Sequence, residues 1–355
     1  MPHAWGGVNI DERALRASDR EHYPDRMTRE RNDLRVVAFG GGTGLPVLLG
    51  GLRQIGVELI SAVVTVADDG GSSGRLRQEL GVAPPGDLRN CLVALAERRR
   101  LAEVFDYRFE GGVELRDHSV GNIIIAALAD ISGGFSEGVE QAGRFLRITG
   151  KVLPAATESV TLVVHRTDGS FTRGESTVRE AGRAVRRVTI EPAIAAAPRA
   201  VIEAIDNADV AVLSPGSLFT STIPALLGAG VPEALARFTG PVIYAANVMT
   251  QPGETVGFGL SDHVRAIIEH VGPVITDALV HGSDLPALSL ARYQADGAAP
   301  VVIDREPLEQ LGVELHVAHL LPDSTSAEIR HDPERLADAV YRVTAMRRSL
   351  TAPRA

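Results

Sequence analysis

Five residues, Gly40-Gly41-Gly42-Thr43-Gly44, follow the apolar run 34–39 and precede a second apolar stretch at 45–55. Glycines in such a place let the backbone approach a phosphate closely, and the free N–H groups of a helix start attract its charge. A tight strand-to-helix turn that needs glycine for geometry alone is the competing explanation. The loop is not a dinucleotide fingerprint, because G-x-G-x-x-G laid from Gly40 or Gly42 ends on Leu45 or Val47. Nor is it a P-loop, since the one lysine, Lys151, is followed by Val152. What is left is a diphosphate turn of another class, with Gly41, Gly42, Thr43 and Gly44 as candidate ligand-binding residues.

Ala67-Asp68-Asp69-Gly70-Gly71-Ser72-Ser73-Gly74 is the second such segment. Adjacent side chains of an extended chain point to opposite sides, so one of Asp68 and Asp69 is expected to face a site. There it could hold a sugar or ribose hydroxyl, or Mg²⁺, which prefers hard oxygen ligands. The alternative makes both residues turn formers and helix caps. Ser214-Pro215-Gly216-Ser217-Leu218-Phe219-Thr220-Ser221 repeats the strand-loop-helix design in the second half. Ser214, Gly216, Ser217, Thr220 and Ser221 offer backbone and hydroxyl donors to phosphate oxygens, although Ser217, Thr220 and Ser221 would equally serve as N-caps. Two such loops suit a diphosphate better than a lone phosphate.

Other polar residues follow strands or open helices. Pro84-Pro85-Gly86 leads into a helix with Asp87 as its expected cap, and Arg89 and Asn90 could reach a ligand; a rigid loop with a capped helix explains them as well. His118 and Asn122 open another helix, and without a metal partner at ligand spacing His118 favours a structural or hydrogen-bonding role. Asn247, Thr250, Gln251 and Glu254 follow a strand; amides can read the edge of a base, and Glu254 could accept from a sugar hydroxyl. There is no convincing Ser/His/Asp arrangement and no metal-binding cluster, so the residues describe a binding cleft more clearly than a reaction.

The elements that must position these residues alternate. Strands are expected at 34–39 and 58–66, helices at 45–55, 87–104 and 119–129, and a parallel arrangement of the first two strands. Residues 151–198 change character: strands at 160–165 and 171–178 around an Asp168-Gly169 turn, then one at 187–191, form an antiparallel β insertion. It could cap the site or join subunits. Alternation resumes with a helix through Ile205, a strand at 210–213, a helix around 220–227, a strand at 241–246, a helix at 262–271, and late strands at 274–280, 301–303 and 314–321. The final helix, 333–350, carries Leu336, Val340 and Val343 on one face. The fold expected is α/β, a Rossmann-like parallel sheet flanked by helices with a small antiparallel β insertion. Residues 34–350 are expected to form one Rossmann-like domain, which the resemblance described below makes a nucleotide-sugar-binding one, and 1–33, rich in mixed charge, are expected to form a disordered tail. Met27 is a candidate alternative start.

Composition bounds the partners. The 355 residues carry a net charge of −9, and the dispersed arginines leave no footprint for nucleic acid. One cysteine, Cys91, excludes an intramolecular disulfide and reads as a small core residue. No apolar run reaches membrane-spanning length and the N-terminus has no signal-peptide core, so a cytoplasmic location is expected.

In this order, 40–45, 67–75, 84–90, 118–122, 214–224 and 247–255 resemble the gluconeogenesis factor (YvcK-like) family, along about 36–339 of the chain. That family is related to 2-phospho-L-lactate transferase of coenzyme F420 synthesis and shares its Rossmann-like fold. The resemblance implies a cytoplasmic regulator that binds a UDP-sugar such as UDP-N-acetylglucosamine. It would support growth, cell shape and wall synthesis on gluconeogenic carbon sources, through an unidentified protein partner, with no required cofactor and with homo-oligomerisation left open. Residues 41–44 and 214–221 would cradle the diphosphate, and 247–254 would contact the nucleoside or sugar. The rival is a transferase moving a phospholactyl group from a guanosine diphosphate-type donor to a deazaflavin with Mg²⁺, in which Asp68 and Asp69 match the acidic pair. Against it, the chain has Pro215-Gly216-Ser217-Leu218 where that enzyme has a Pro-Ser-Asn-Pro type of loop, and 247–255 replaces its later glycine-rich loop. A nicotinamide-dependent oxidoreductase is disfavoured by the missing fingerprint.

Overall fold

Short runs of valine, alanine and leucine that are buried on both faces can only be interior strands of a sheet covered by helices. β1 (Arg35–Gly40), β2 (Leu59–Val64), β7 (Val210–Leu213) and β8 (Val242–Ala245) are of this kind in the computed structural model, which describes residues 31–111, 115–178, 184–323 and 328–351. With β3 (Lys151–Pro154), β9 (Asp277–His281) and β10 (Glu314–Ala318) they form a seven-stranded sheet in the order β10-β9-β8-β7-β1-β2-β3. Every pairing in it is parallel.

This order has one consequence for function. The chain moves from β1 toward β2 and β3, then returns to the other side of β1 and proceeds through β7 to β10. The direction of winding therefore reverses between β1 and β7, and a crevice opens at their carboxyl ends, where open α/β sheets bind ligands. The first glycine loop and the Ser214 loop leave the sheet at those two ends.

Helices α1 (Gly44–Gln54), α2 (Gly71–Leu80), α3 (Gly86–Leu95), α4 (Arg99–Asp106), α5 (Val120–Ser132) and α6 (Phe135–Leu146) lie in the first half. In the second lie α7 (Arg199–Asp206), α8 (Val231–Arg237), α9 (Leu260–Val271), α10 (Ala287–Ala295), α11 (Arg305–Gln310) and α12 (Pro333–Thr351). Leu336, Val340 and Val343 of α12 are buried, as their spacing requires, and so is Cys91. The insertion is a separate antiparallel sheet, β5-β4-β6, made of β4 (Thr161–Arg166), β5 (Phe171–Arg173) and β6 (Val185–Glu191). Its inner residues Leu162, Val164 and Val188 join the main core, and the Val188 N–H donates to His270 Nε2 of α9 at 2.9 Å.

Several elements differ from expectation. The helix expected over 87–104 is two, because Ala96 is drawn into an extended bridge with Ile148. The helix expected around 220–227 is a π turn, Leu218–Thr222, followed by a 3₁₀ turn, Pro224–Leu226. Pro224 has no N–H to continue an α-helix, and its ring crowds the preceding turn. Residues 301–303 form only a one-residue bridge, Val302 with Gly259. Residues 151–154 belong to the main sheet as β3, so the antiparallel part begins at β4. The return strand stops at Arg173, where the chain enters a 3₁₀ turn, Glu175–Thr177. Of the expected tail, Arg31 is held in place by Asp338 at 2.9 Å and lies over the Tyr341 ring; Met27 falls outside the described residues.

Candidate functional site

The two halves of the crevice touch at their glycines. Gly42 has φ +59, a left-handed conformation that suits glycine, and a Cβ there would stand 3.4 Å from Ser221 Oγ. A Cβ on Gly44 would overlap the Pro215 carbonyl. The loop after β1 and the loop after β7 are thus in backbone contact. The second loop is braced from behind. Asn247 grips the Gly216 peptide, accepting from its N–H at 2.9 Å and donating to its carbonyl at 2.5 Å. Glu254 accepts from Ser217 Oγ at 2.5 Å and from the Phe219 N–H at 2.8 Å. Asn247 and Glu254 therefore shape the loop that would meet a ligand. Ser214 Oγ is buried beside Gly40 and has no hydrogen-bond partner among the described residues.

Three carboxylates from three elements lie close to one another beside the crevice, and one of them, Asp87, touches the glycine loop. Asp87 does not cap α3, whose N-cap position is Pro85. It lies in the first turn, and its Oδ2 accepts from the Gly42 N–H at 2.6 Å. Burial, with the nearby charge of Asp68, raises its pKa to about 6 against the lowering pull of the Gly42 N–H and Arg89. Asp68 accepts from the Gly70 N–H at 2.8 Å in the tight turn before α2, and burial raises its pKa as well. Asp69 points the other way, as adjacent residues of an extended chain should, and accepts from the Ser176 N–H at 3.0 Å. Glu175, from the 3₁₀ turn of the insertion, lies close to Asp68 and Asp87; burial first, then those two carboxylates, lift its pKa to about 8.

The remaining candidates are placed around this seat. Arg89 is buried and pairs with Asp106 and with Asn90 Oδ1, the latter at 2.6 Å. His118 Nδ1 meets Ser72 Oγ at 3.0 Å, and Asn122 Nδ2 donates to the same hydroxyl at 3.1 Å, joining the starts of α2 and α5. Thr250 is tied to the Ala299 backbone, and the Gln251 N–H donates to Thr255 Oγ1 at 2.9 Å. Two clefts flank the seat. One, beside Asp69, Arg77 and Arg173, separates α2 from the insertion; the other, beside Arg186, Phe219 and Phe258, separates the insertion from α9.

Asp87 and Glu175 were not among the residues singled out by the sequence as ligand-binding. Its position before an apolar run marks Asp87 only as a cap; its contact with Gly42 is made across 45 positions. Glu175 sits in Gly174-Glu175-Ser176-Thr177, which has no local signature, and it reaches the seat only because the insertion folds over it.

Carboxylates are hard oxygen donors of the kind that Mg²⁺ takes. Mg²⁺ is ordinarily held by one or two carboxylates and by ligand phosphates, and Asp68 and Asp87 supply that set beside the glycine loop. Among the described residues, the three ligand atoms that lie within 4.8 Å of one another belong elsewhere, to Asp277, Glu314 and His316. That group stands at the amino ends of β9 and β10, away from the crevice, and Arg347 neutralises it through bonds to Asp277 at 2.9 Å and Glu314 at 3.0 Å.

Comparison with known proteins places the site in context. Residues 36–321 match the family model described as 2-phospho-L-lactate transferase CofD. A gluconeogenesis factor of Halalkalibacterium halodurans is 44% identical over 307 residues, covering 86% of this chain and 95% of that protein. A gluconeogenesis factor of Bacillus subtilis is 42% identical over 305 residues, covering 85% of this chain and 96% of that protein. A crystal structure of a UPF0052 family member from Bacillus halodurans superposes with a TM-score of 0.83 at 44% identity, over 87% of this chain and 99% of the other. Among the described residues, no helix is long and apolar enough to cross a membrane.

Proposed function

The chain belongs to the 2-phospho-L-lactate transferase CofD family, among its gluconeogenesis factors, and from that premise we propose that it is a cytoplasmic UDP-sugar-binding regulator. The observation that carries the proposal is the backbone contact of Gly44 with Pro215 at the reversal point of the sheet, which brings two phosphate-type loops to one crevice. A diphosphate would sit between those loops, with the N–H groups of Thr43 and Gly44 on one side and the hydroxyls of Thr220 and Ser221 on the other, while Asp87 keeps the Gly42 N–H. Mg²⁺ held by Asp68 and Asp87 would neutralise the charge that the carboxylates and the diphosphate otherwise place together. The sugar nucleotide is the signal, and the surface of the insertion over the crevice is what a protein partner would read to support growth, cell shape and wall synthesis on gluconeogenic carbon sources.

A transferase is the second reading, favoured by the match to the CofD model and by the carboxylates beside the glycine loop. It requires a nucleoside diphosphate-linked donor and an acceptor in the same crevice. Calorimetric titration with UDP-N-acetylglucosamine, UDP-glucose, GDP and NAD in the presence of Mg²⁺ separates the two. Saturable binding of a UDP-sugar that is recovered intact supports the regulator; preference for GDP supports the transferase.

A further inference from the structure

β6 is an edge strand of the insertion, so some of its backbone N–H groups point away from β4 and need another acceptor wherever water is excluded. Val188 is such a residue. It is fully buried, and its N–H donates to His270 Nε2 of α9 at 2.9 Å. The other ring nitrogen, Nδ1, lies 2.6 Å from the Ala266 carbonyl one helical turn back. Both partners have fixed polarity: a carbonyl only accepts and a peptide N–H only donates. The ring therefore carries its proton on Nδ1 and its lone pair on Nε2, and this arrangement has no place for a second proton. Among the described residues this is the one hydrogen bond between β6 and α9. The same ring packs against Phe219, with centroids 6.2 Å apart. Phe219 belongs to the π turn Leu218–Thr222, whose Ser221 stands beside Gly42 at the crevice. On its other side the insertion is tied without histidine: Asp69 accepts from the Ser176 N–H at 3.0 Å, and Arg77 donates to Thr161 Oγ1 at 2.7 Å.

We infer that His270 is a proton-operated latch: neutral, it docks the insertion on α9 and backs Phe219, and protonated at Nε2 it releases that side of the insertion while the α2 side stays tied. The chemistry is one of polarity. A proton on Nε2 turns the acceptor of the Val188 N–H into a second donor, and two N–H groups then face each other in a buried place. The cleft beside Arg186, Phe219 and Phe258 is where the two parts would separate. The charged groups around the ring are Arg187 of β6 and Glu269 of α9, with Arg186, Asp262 and Arg265 lining the cleft; Asp262 and Arg265 pair with each other at 2.9 Å. Burial holds the ring's pKa below the usual 6.5 against the pull of the Ala266 carbonyl, with Arg187 adding to burial and Glu269 opposing it. A histidine depressed in the docked state supports docking in full above pH 6.5, and that support is lost as pH falls below 6.5. The latch concerns the insertion and needs no particular ligand, so it stands or falls apart from the nucleotide-sugar reading.

Hydrogen exchange on the full chain tests it, with rates measured from about pH 7.5 to about pH 5 and corrected for the intrinsic pH dependence of exchange. The Val188 amide reads the latch, and the Val212 amide, in the middle of the main sheet, reads overall stability. Protection of Val188 relative to Val212 should fall about fivefold or more toward the acid end. His270→Gln offers an amide oxygen that accepts from Val188 and does not titrate, so its ratio should stay within about twofold across the range. His270→Phe keeps a ring against Phe219 but has no acceptor, so Val188 should be as poorly protected at about pH 7.5 as the unsubstituted protein is at about pH 5. A Val188 ratio that stays flat in the unsubstituted protein overturns the latch whether or not the variants fold. So does an undiminished fall in His270→Gln, or full protection of Val188 at about pH 7.5 in His270→Phe.

Discussion

At Gly44 the chain has no room for a methyl group, because the Pro215 carbonyl fills the place where it would go. Both sides of that contact are backbone, so neither can rotate away. Gly44→Ala is expected to lower stability by about 2 kcal/mol and to weaken ligand binding by forcing the two loops apart, read from the thermal midpoint and from calorimetry on the same sample. The carboxyls make a second prediction. Glu175 is raised from 4.5 to about 8, chiefly by burial, and it faces Asp68 and Asp69 from the loop after β2, Asp87 from α3 and the Thr220 hydroxyl from the turn after β7. A carboxyl with a raised pKa stabilises the folded turn Glu175–Thr177, which the Val178 N–H closes on the Glu175 carbonyl at 3.0 Å, while it holds its proton; that contribution is complete below 4.5 and is lost as pH rises through about 8. Asp87, raised to about 6, acts with the same sign. The protection factor of the Val178 amide should therefore fall as pH rises from 4.5 to 8.5, and Glu175→Gln should flatten the upper part of that curve. A rise with pH would contradict it. At this scale the sequence was legible where function needs glycine, and illegible where it depends on one acid reaching across the fold. The glycines of the first loop are plain from type and neighbours; Glu175 and Asp87 reach the crevice only through contacts distant in sequence.

Elements were readable in proportion to how far local pattern decides them. β1, β2 and β7 are apolar runs bounded by polar turns, and they are strands within two residues of where the pattern puts them. The final helix was equally plain, since Leu336, Val340 and Val343 recur at helical spacing and are buried. α2 was not, because Gly71-Ser72-Ser73-Gly74 opens it with residues that ordinarily form turns. It forms a helix held from outside: Ser72 is fixed by His118 and Asn122, and Ser73 Oγ accepts from the Gly86 N–H at 3.1 Å. The π turn at Leu218–Thr222 shows the opposite case, where a helical pattern was interrupted by Pro224 and by the bonds from Ser217 and Phe219 to Glu254. That irregular turn is what aims Ser221 at Gly42, so the departure from regular structure and the candidate function fall on the same five residues.

The whole molecule separates the site from its main electrostatic lock. The crevice lies at the carboxyl ends of β1 and β7, whereas Asp277, fully buried at the start of β9, binds Arg347 of α12 at 2.9 Å and His316 of β10 at 2.6 Å. Burial alone would raise the Asp277 pKa; the bonds from His316, Thr276 and Arg347 outweigh it and hold it below the usual carboxylate range. Removing one member of such a group leaves the others unpaired, and Asp277→Ala is expected to cost about 3–5 kcal/mol of stability. Because the lock and the crevice share no partner, ligand affinity of the folded protein should change little; a large loss of affinity without loss of stability would refute that separation. The parallel order of the sheet was expected from the alternation of strands and helices. Its reversal between β1 and β7 came only with the Rossmann-like resemblance, since strand order is set by long-range pairing that no single segment records. Yet that reversal is what turns two separate loops into one seat. The central claim is thus that this seat takes a nucleotide sugar, and the most direct test is calorimetric titration of UDP-N-acetylglucosamine into the protein with Mg²⁺, beside GDP and NAD. Saturable one-site binding of the UDP-sugar, absent for NAD and weaker for GDP, is the predicted result. Binding of GDP in preference to any UDP-sugar, or of none of them, would contradict it.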